Sequence, residues 1–226
     1  MKSAVRLANS TYRLRSASGN HPPIGGVFKR GFDIIGASAG ILLLSPLLLM
    51  LAMLVKFSDG GRVLYGHRRI GRNGQVFQCL KFRTMVENGD EVLSAYFAKN
   101  PQSREEWLAT RKLQNDPRVT RIGAVLRKLS LDELPQLFNI LRGDMSIVGP
   151  RPVVKDELEL YGAAADCYLK SRPGLTGLWQ ISGRNDVSYC TRVAFDRHYV
   201  ENWSFLFDLK IIVKTVPAVF SSRGSY

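Results

Sequence analysis

Residues 34–55 run 22 positions without a charged side chain, and this stretch most restricts what the chain can fold into. As one helix it would reach about 33 Å, enough for the roughly 30 Å hydrocarbon core of a bilayer. Pro46 stands in its middle, where it removes a backbone hydrogen bond and clashes with the preceding turn. Ser45 is placed to satisfy a freed carbonyl, so a bend at Ser45-Pro46 is expected. The flanks add a second constraint. Residues 1–31 contain Lys2, Arg6, Arg13, Arg15, Lys29 and Arg30 and no acid, and the stretch after the run carries Lys56, Arg62, Arg68, Arg69 and Arg72 against Asp59. Both ends read as cytosolic by the positive-inside rule. A helix that enters the bilayer, turns at Ser45-Pro46 and leaves by the same face satisfies both flanks. Prolines also occur in spanning helices, so the residues alone leave re-entry and spanning open. A cleaved secretory signal is not indicated, because the run is too long and no small-residue cleavage site follows it.

The remaining length suits one soluble domain, which divides the chain into a basic flexible leader (1–31), a membrane helix (32–57) and a cytosolic catalytic domain (58–226). Lys and Arg number 32 against 19 Asp and Glu, a formal charge of +13. That excess points to a polyanionic partner, whether nucleic acid, anionic lipid or a phosphorylated substrate, and does not choose among them. Cys79, Cys167 and Cys190 are odd in number, far apart and without ligand spacing. Neither a disulfide framework nor a zinc site is indicated, and a reducing cytosol fits. His21, His67 and His198 are equally scattered, and Walker and GxGxxG signatures are absent.

Candidate chemistry centres on Ser130-Leu131-Asp132-Glu133-Leu134-Pro135-Gln136. Ser130 and Glu133 have capping-box spacing, which predicts a helix over 130–141 ended by Gly143, with both carboxylates in its first turn at the positive end of the dipole. A capping turn alone would explain them. Their setting suggests more, because basic segments lie on both sides and Gly149-Pro150-Arg151-Pro152 follows. Gly149 and Arg151 both precede proline, so that loop is held extended and Arg151 loses little freedom on gripping an anion. With the helix N-terminus it makes a candidate diphosphate cradle.

Upstream, 62–70 and 76–85 are strand-like around an Asn73-Gly74 hairpin turn, and Lys81 and Arg83 share one strand face. A solvated face is the bland account of those cations. Residues 118–129 form a basic amphipathic helix, suited equally to a lipid surface or to core packing. Arg172 and Arg184 bracket the segment Arg172-Pro173-Gly174-Leu175-Thr176-Gly177-Leu178-Trp179-Gln180-Ile181-Ser182-Gly183-Arg184, whose glycines let backbone approach a ligand. A turn-rich connector with Trp179 in the core accounts for it as well. Further helices are predicted at 87–99, 103–113, 154–170, 188–201 and 203–220, the third presenting Asp156, Glu157 and Glu159 to solvent. In 203–220 Asp208 and Lys210 fall on different sides, which argues against a membrane helix there.

Several of these motifs occur together in one known family. Lys29-Arg30-Gly31-Phe32-Asp33 precedes the apolar run, Ser45-Pro46 lies within it, and Lys81-Phe82-Arg83-Thr84-Met85 and Asp116-Pro117-Arg118-Val119-Thr120 follow. The 130–136 motif, Gly143-Asp144-Met145-Ser146, Gly149-Pro150-Arg151-Pro152 and Arg172-Pro173-Gly174-Leu175-Thr176-Gly177 complete the series. From about Val27 onward the chain resembles the bacterial sugar transferases, small monotopic phosphoglycosyl transferases that prime polysaccharide synthesis on polyprenyl phosphate. Within them it looks like the undecaprenyl-phosphate galactose phosphotransferases of exopolysaccharide (succinoglycan) synthesis.

The resemblance implies an α+β fold, mainly helical, with a re-entrant Pro-kinked N-terminal helix and a small β-hairpin, at the cytoplasmic face of the bacterial inner membrane. It implies transfer of a sugar-1-phosphate from a UDP-sugar to undecaprenyl phosphate, releasing UMP, with Mg²⁺ and a covalent aspartyl intermediate. UDP-galactose is the first choice of donor and UDP-glucose the next. Asp132 matches the family's nucleophile and Glu133 its metal-binding neighbour. Lys81, Arg83, Arg151, Arg172 and Arg184 are the expected substrate-binding cations. Membrane lipids are implied as partners and nucleic acid is not; a homo-oligomer is compatible, and the sequence does not fix the oligomeric state. Two other readings compete. A UDP-releasing glycosyltransferase would need a metal motif, and no DxD is present. A basic membrane-tethered protein binding anions or nucleic acid explains the charge but not why two carboxylates lie amid cationic loops.

Overall fold

The computed structural model describes residues 23–110, 113, 115–182 and 187–220, so most of the expected leader and Arg184 lie outside the described residues. Helix α1 (Gly26–Asp59) spans 34 residues and starts within the expected leader, because the first basic residues find buried partners. Lys29 Nζ lies 2.5 Å from the fully buried Asp208 carboxylate. The Arg30 guanidinium donates to the carbonyls of Ile140 and Leu141 at 2.6 and 2.8 Å. Helical structure continues through Pro46. Ser45 Oγ donates to the Leu42 carbonyl at 2.8 Å, the acceptor that Pro46 has no N–H to reach, so the anticipated compensation is present. One side of α1 packs on the body through Ala37, Leu51 and Val55. The other side leaves Ile35, Leu42, Leu43, Leu49 and Phe57 at least 66% exposed, too much apolar surface for the core helix of a water-soluble domain.

Strands β1 (Leu64–Ile70) and β2 (Val76–Phe82) form the expected antiparallel hairpin, with Tyr65 opposite Lys81, His67 opposite Cys79 and Arg69 opposite Phe77. Asn73 and Gly74 at its tip both take positive φ, 55° and 76°, as a tight turn between twisted strands requires. Helices α2 (Gly89–Lys99) and α3 (Pro101–Thr110) follow, Pro101 opening the second where a missing N–H does no harm. Helix α4 (Arg121–Lys128) begins three residues later than expected, where the Thr120 hydroxyl accepts from the Gly123 N–H at 2.9 Å.

The expected helix over 130–141 does not form as one element. Ser130 adopts φ 55° and makes no side-chain cap, Leu131–Glu133 is a single 3₁₀ turn, and helix α5 (Gln136–Arg142) starts after Pro135. Pro135 cannot donate to the carbonyl four residues back, which divides the segment. Gly143 ends α5 at φ 95°, as predicted.

Strands β3 (Ser146–Val148) and β4 (Gly174–Thr176) form a parallel pair too short to be legible from periodicity. The expected helix over 154–170 is divided into α6 (Lys155–Glu159) and α7 (Ala165–Leu169) near Gly162, which takes φ 51°. Glu157 is not the solvated residue expected: its carboxylate accepts from the Val154 N–H and pairs with Arg69 at 3.2 Å. Helices α8 (Leu178–Ile181), α9 (Tyr189–Glu201) and α10 (Phe205–Phe220) complete the described chain. The Ser188 hydroxyl caps α9, and α10 buries Asp208 while exposing Lys210. Among the described residues the architecture is mainly helical with two small two-stranded sheets.

Candidate active site

A cavity of about 1110 Å³ opens beside the hairpin, lined by residues of β1, β2, the start of α2, the 3₁₀ turn and α8. Asp132 and Glu133 enter it from the turn, whose tight backbone points neighbouring side chains at one cation. Lys81 Nζ, reaching from β2, lies 2.6 Å from Glu133 Oε1 and 3.8 Å from Asp132 Oδ2. Glu133 thus serves Lys81 rather than the Ser130 backbone, which corrects the capping box.

Asp132 is 8% exposed, and burial raises its pKa to about 6, opposed by the charges of Lys81 and Arg127 and reinforced by Glu133. Burial works against the Lys81 ammonium, but Glu133 and Asp132 outweigh it and hold its pKa above that of an ordinary lysine. Arg127, from the last turn of α4, also lines the cavity, and its Nε donates to Thr84 Oγ1 at 2.8 Å. Burial lowers its pKa while Asp132 acts the other way. Arg118 joins the wall, fixed by a two-point pair with Asp116 at 2.8 and 2.6 Å and lying 4.7 Å from the Trp107 ring centre.

Of the cations expected from the sequence, Lys81 meets the two carboxylates and Arg83 lines the same cavity. Arg83 is held by Asp59 at the end of α1 and by Glu87 at 3.3 Å. Arg151 stands outside the described lining, behind Trp179, with its guanidinium carbon 5.9 Å from that ring's centre and its Nη2 3.9 Å from Glu157 Oε1. Arg172 also lies outside the lining; its Nε donates to the Gly143 carbonyl at 2.8 Å, tying the loop before β4 to the end of α5. It braces the scaffold because a partly buried guanidinium next to an unpaired helix-end carbonyl finds its best partner there. Arg184 lies outside the described residues. Sequence reasoning missed Arg127 and Arg118 as site cations, having placed them on a generic basic helix. The available signal was that Arg127 precedes Asp132 by only five residues.

Among the described residues no three His, Cys, Asp or Glu side chains gather as a ready-made metal cage. Mg²⁺ is commonly held by one or two carboxylates together with substrate phosphates and water, and Asp132 with Glu133 supplies that donor set. The cavity therefore combines a buried carboxylate, a neighbour able to share a divalent cation, and a set of cationic side chains, Lys81, Arg118 and Arg127 among them, able to absorb phosphate charge.

The family model described as "Bacterial sugar transferase" matches residues 24–222. The exopolysaccharide production protein ExoY of Rhizobium meliloti is 69% identical over 226 residues, covering the whole of both chains. The undecaprenyl-phosphate galactose phosphotransferase of Salmonella typhimurium is 53% identical over 198 residues, 88% of this chain and 41% of its own. The UDP-glucose:undecaprenyl-phosphate glucose-1-phosphate transferase of Caulobacter vibrioides is 38% identical over 208 residues, 88% of this chain and 72% of its own. With the cavity chemistry and a family match over most of its length, this chain is an enzyme that belongs to the bacterial sugar transferase family.

Proposed function

We propose that the protein transfers a sugar-1-phosphate, galactose-1-phosphate in the first instance, from a UDP-sugar to undecaprenyl phosphate as the priming step of exopolysaccharide synthesis. The observation that carries this reading is Asp132, a buried carboxylate in a large cationic cavity, 3.8 Å from Lys81. Relatives named for exopolysaccharide production and for galactose phosphotransfer to undecaprenyl phosphate support it.

An Asp132 carboxylate oxygen attacks the phosphorus bearing the sugar, and the bond from that phosphorus to the UMP oxygen breaks, its electron pair leaving with UMP. A phosphate oxygen of undecaprenyl phosphate then attacks the same phosphorus, the bond to Asp132 breaks, and the carboxylate returns. Lys81 and Arg127 neutralise charge on the transferring group, the main task in phosphoryl transfer. Glu133 would hold Mg²⁺, which when bound supplies further neutralisation of the diphosphate. Arg151 acts at one remove, by supporting Trp179.

Membrane placement follows the same logic. Lys29 and Arg30 tie the start of α1 to α10 and α5, and Val55 and Asp59 tie its end to Phe82 and Arg83. One body holds both ends, which favours a helix that re-enters the cytoplasmic face over one that spans. Its exposed apolar side is suited to lipid.

The test is a reaction of purified protein with UDP-galactose and Mg²⁺ but no lipid acceptor. About one UMP per active site and one hexose-phosphate on the peptide containing Asp132 are expected. An adduct on another residue, or UDP as the product once acceptor is added, overturns the mechanism.

A further inference from the structure

Besides Arg83, whose Nη1 is ion-paired with Glu87, the cavity is lined by two residues with buried polar atoms that have no hydrogen-bond partner among the described residues. These are the Trp179 indole N–H and the Gln180 amide oxygen. Gln180 is only 8% exposed. A buried polar group left unpaired is costly, so a donor and an acceptor on consecutive residues of α8 point to a ligand that satisfies both.

The backing of this wall is built before any ligand arrives. The Arg151 guanidinium lies over the Trp179 ring, and the Arg151 N–H donates to both oxygens of Asp196 at 3.4 Å. Asp196, itself buried, also accepts from the Tyr161 hydroxyl at 2.7 Å. A Cβ at Gly177 would meet the Trp179 ring at 2.9 Å, so glycine there lets the indole lie against the backbone. Such support holds recognition groups in place without ordering them at the moment of binding.

The position of the wall says which part of the donor it meets. Trp179 connects through Arg151 and Glu157 to Arg69 on β1. The level of Tyr65 and Lys81, where the nucleophile sits, is four residues away along that strand, roughly 13 Å at about 3.3 Å per residue. In a UDP-sugar the hexose is joined directly to the phosphorus that Asp132 attacks, whereas the uracil is separated from it by a second phosphate and a ribose. We propose that Trp179 and Gln180 read the uracil of the donor. The Gln180 amide oxygen accepts from the imide N3–H, and the Trp179 N–H donates to a neighbouring carbonyl. This rests on the uridine-donor reading above and adds the residues that recognise the base.

UMP and its N3-methyl analogue, titrated into full-length protein in detergent, test it. Wild type should prefer UMP by about tenfold or more, since a site built to bond a donor rejects the analogue lacking it. Gln180→Ala should lose that preference, and Trp179→Phe, which keeps the ring, should weaken UMP binding while retaining it. The phenylalanine variant keeps the proposal testable if Gln180→Ala does not fold. No N3 preference in wild type overturns the proposal, as does unchanged UMP affinity in both variants. So does a shifted galactose-to-glucose ratio of kcat/KM with unchanged UMP binding, which would put the hexose at this wall. Wild type that binds UMP with N3 preference but releases none from UDP-sugars supports the wall and overturns the transfer reaction, so the two failures are distinguishable.

Discussion

The Lys81 ammonium lies 3.8 Å from an Asp132 carboxylate oxygen, across the gap between β2 and a 3₁₀ turn 51 residues further along the chain. Burial drives that carboxyl toward its neutral form and Lys81 toward its ionised form, and burial prevails, leaving the pKa at about 6. In the proposed reaction Asp132 attacks as the carboxylate, so this contest governs how readily the metal-free site is ionised.

In metal-free protein, where no Mg²⁺ charge favours the carboxylate, the Asp132 carboxyl should accordingly titrate at about 6. Lys81→Met removes the charge that favours the carboxylate, so the midpoint should move upward. The Asp132 carboxyl NMR signal followed in metal-free protein from about pH 3 to about pH 8 measures both, and a midpoint near 4 in the wild type would contradict the buried environment.

The same shift bears on stability. The folded-state pKa of Asp132, about 6, lies above its ordinary value of 3.8, so the folded state binds the proton more tightly. Stability contributed by this group falls as pH rises from about 4 to about 6, and the penalty is fully present at neutral pH. Asp132→Asn should abolish UMP release yet stabilise the fold at pH 7.5 by about 1–3 kcal/mol, read by denaturant unfolding in detergent. The gain should vanish near pH 4.

Arg127 and Arg172 should separate function from scaffolding. Arg127→Ala removes a cavity cation and should slow UMP release by about 10²-fold with a modest change in melting temperature. Arg172→Ala removes the brace to the Gly143 carbonyl and should lower stability by about 1–2 kcal/mol, with a smaller loss in the chemical step. A reversed pattern would move the diphosphate to the β3–β4 loops.

Topology is testable with single cysteines beside Lys29 and Lys56, which should be labelled from the same membrane face. Pro46→Leu should favour a spanning helix and bring about labelling from opposite faces in part of the population. Opposite-face labelling of the otherwise native chain would refute re-entry.

The hairpin, the terminal helices and the Ser45–Leu42 compensation were legible because each follows from short-range chemistry: a two-residue turn, a capping hydroxyl, a proline lacking its N–H. The carboxylate pair was legible as residues but not as geometry. Capping-box spacing misdirected Glu133 toward its own backbone, since pattern rules weigh neighbours in sequence and Lys81 lies on another element.

Arg151 and Arg172 show the same limit from the other side. Proline-restrained loops and paired arginines suggested an anion cradle, yet the parallel pairing of β3 and β4 turns Arg172 to a helix end and sets Arg151 behind Trp179. By itself the sequence determined the apolar helix, its basic flanks, the hairpin and the family, all carried by composition, periodicity and local motifs. Only the tertiary structure decided which cations face Asp132 and how both ends of α1 are held. Lys81 and Asp132 are 51 positions apart and Lys29 and Asp208 are 179, and burial and charge pairing at such separations are set by packing rather than by local pattern.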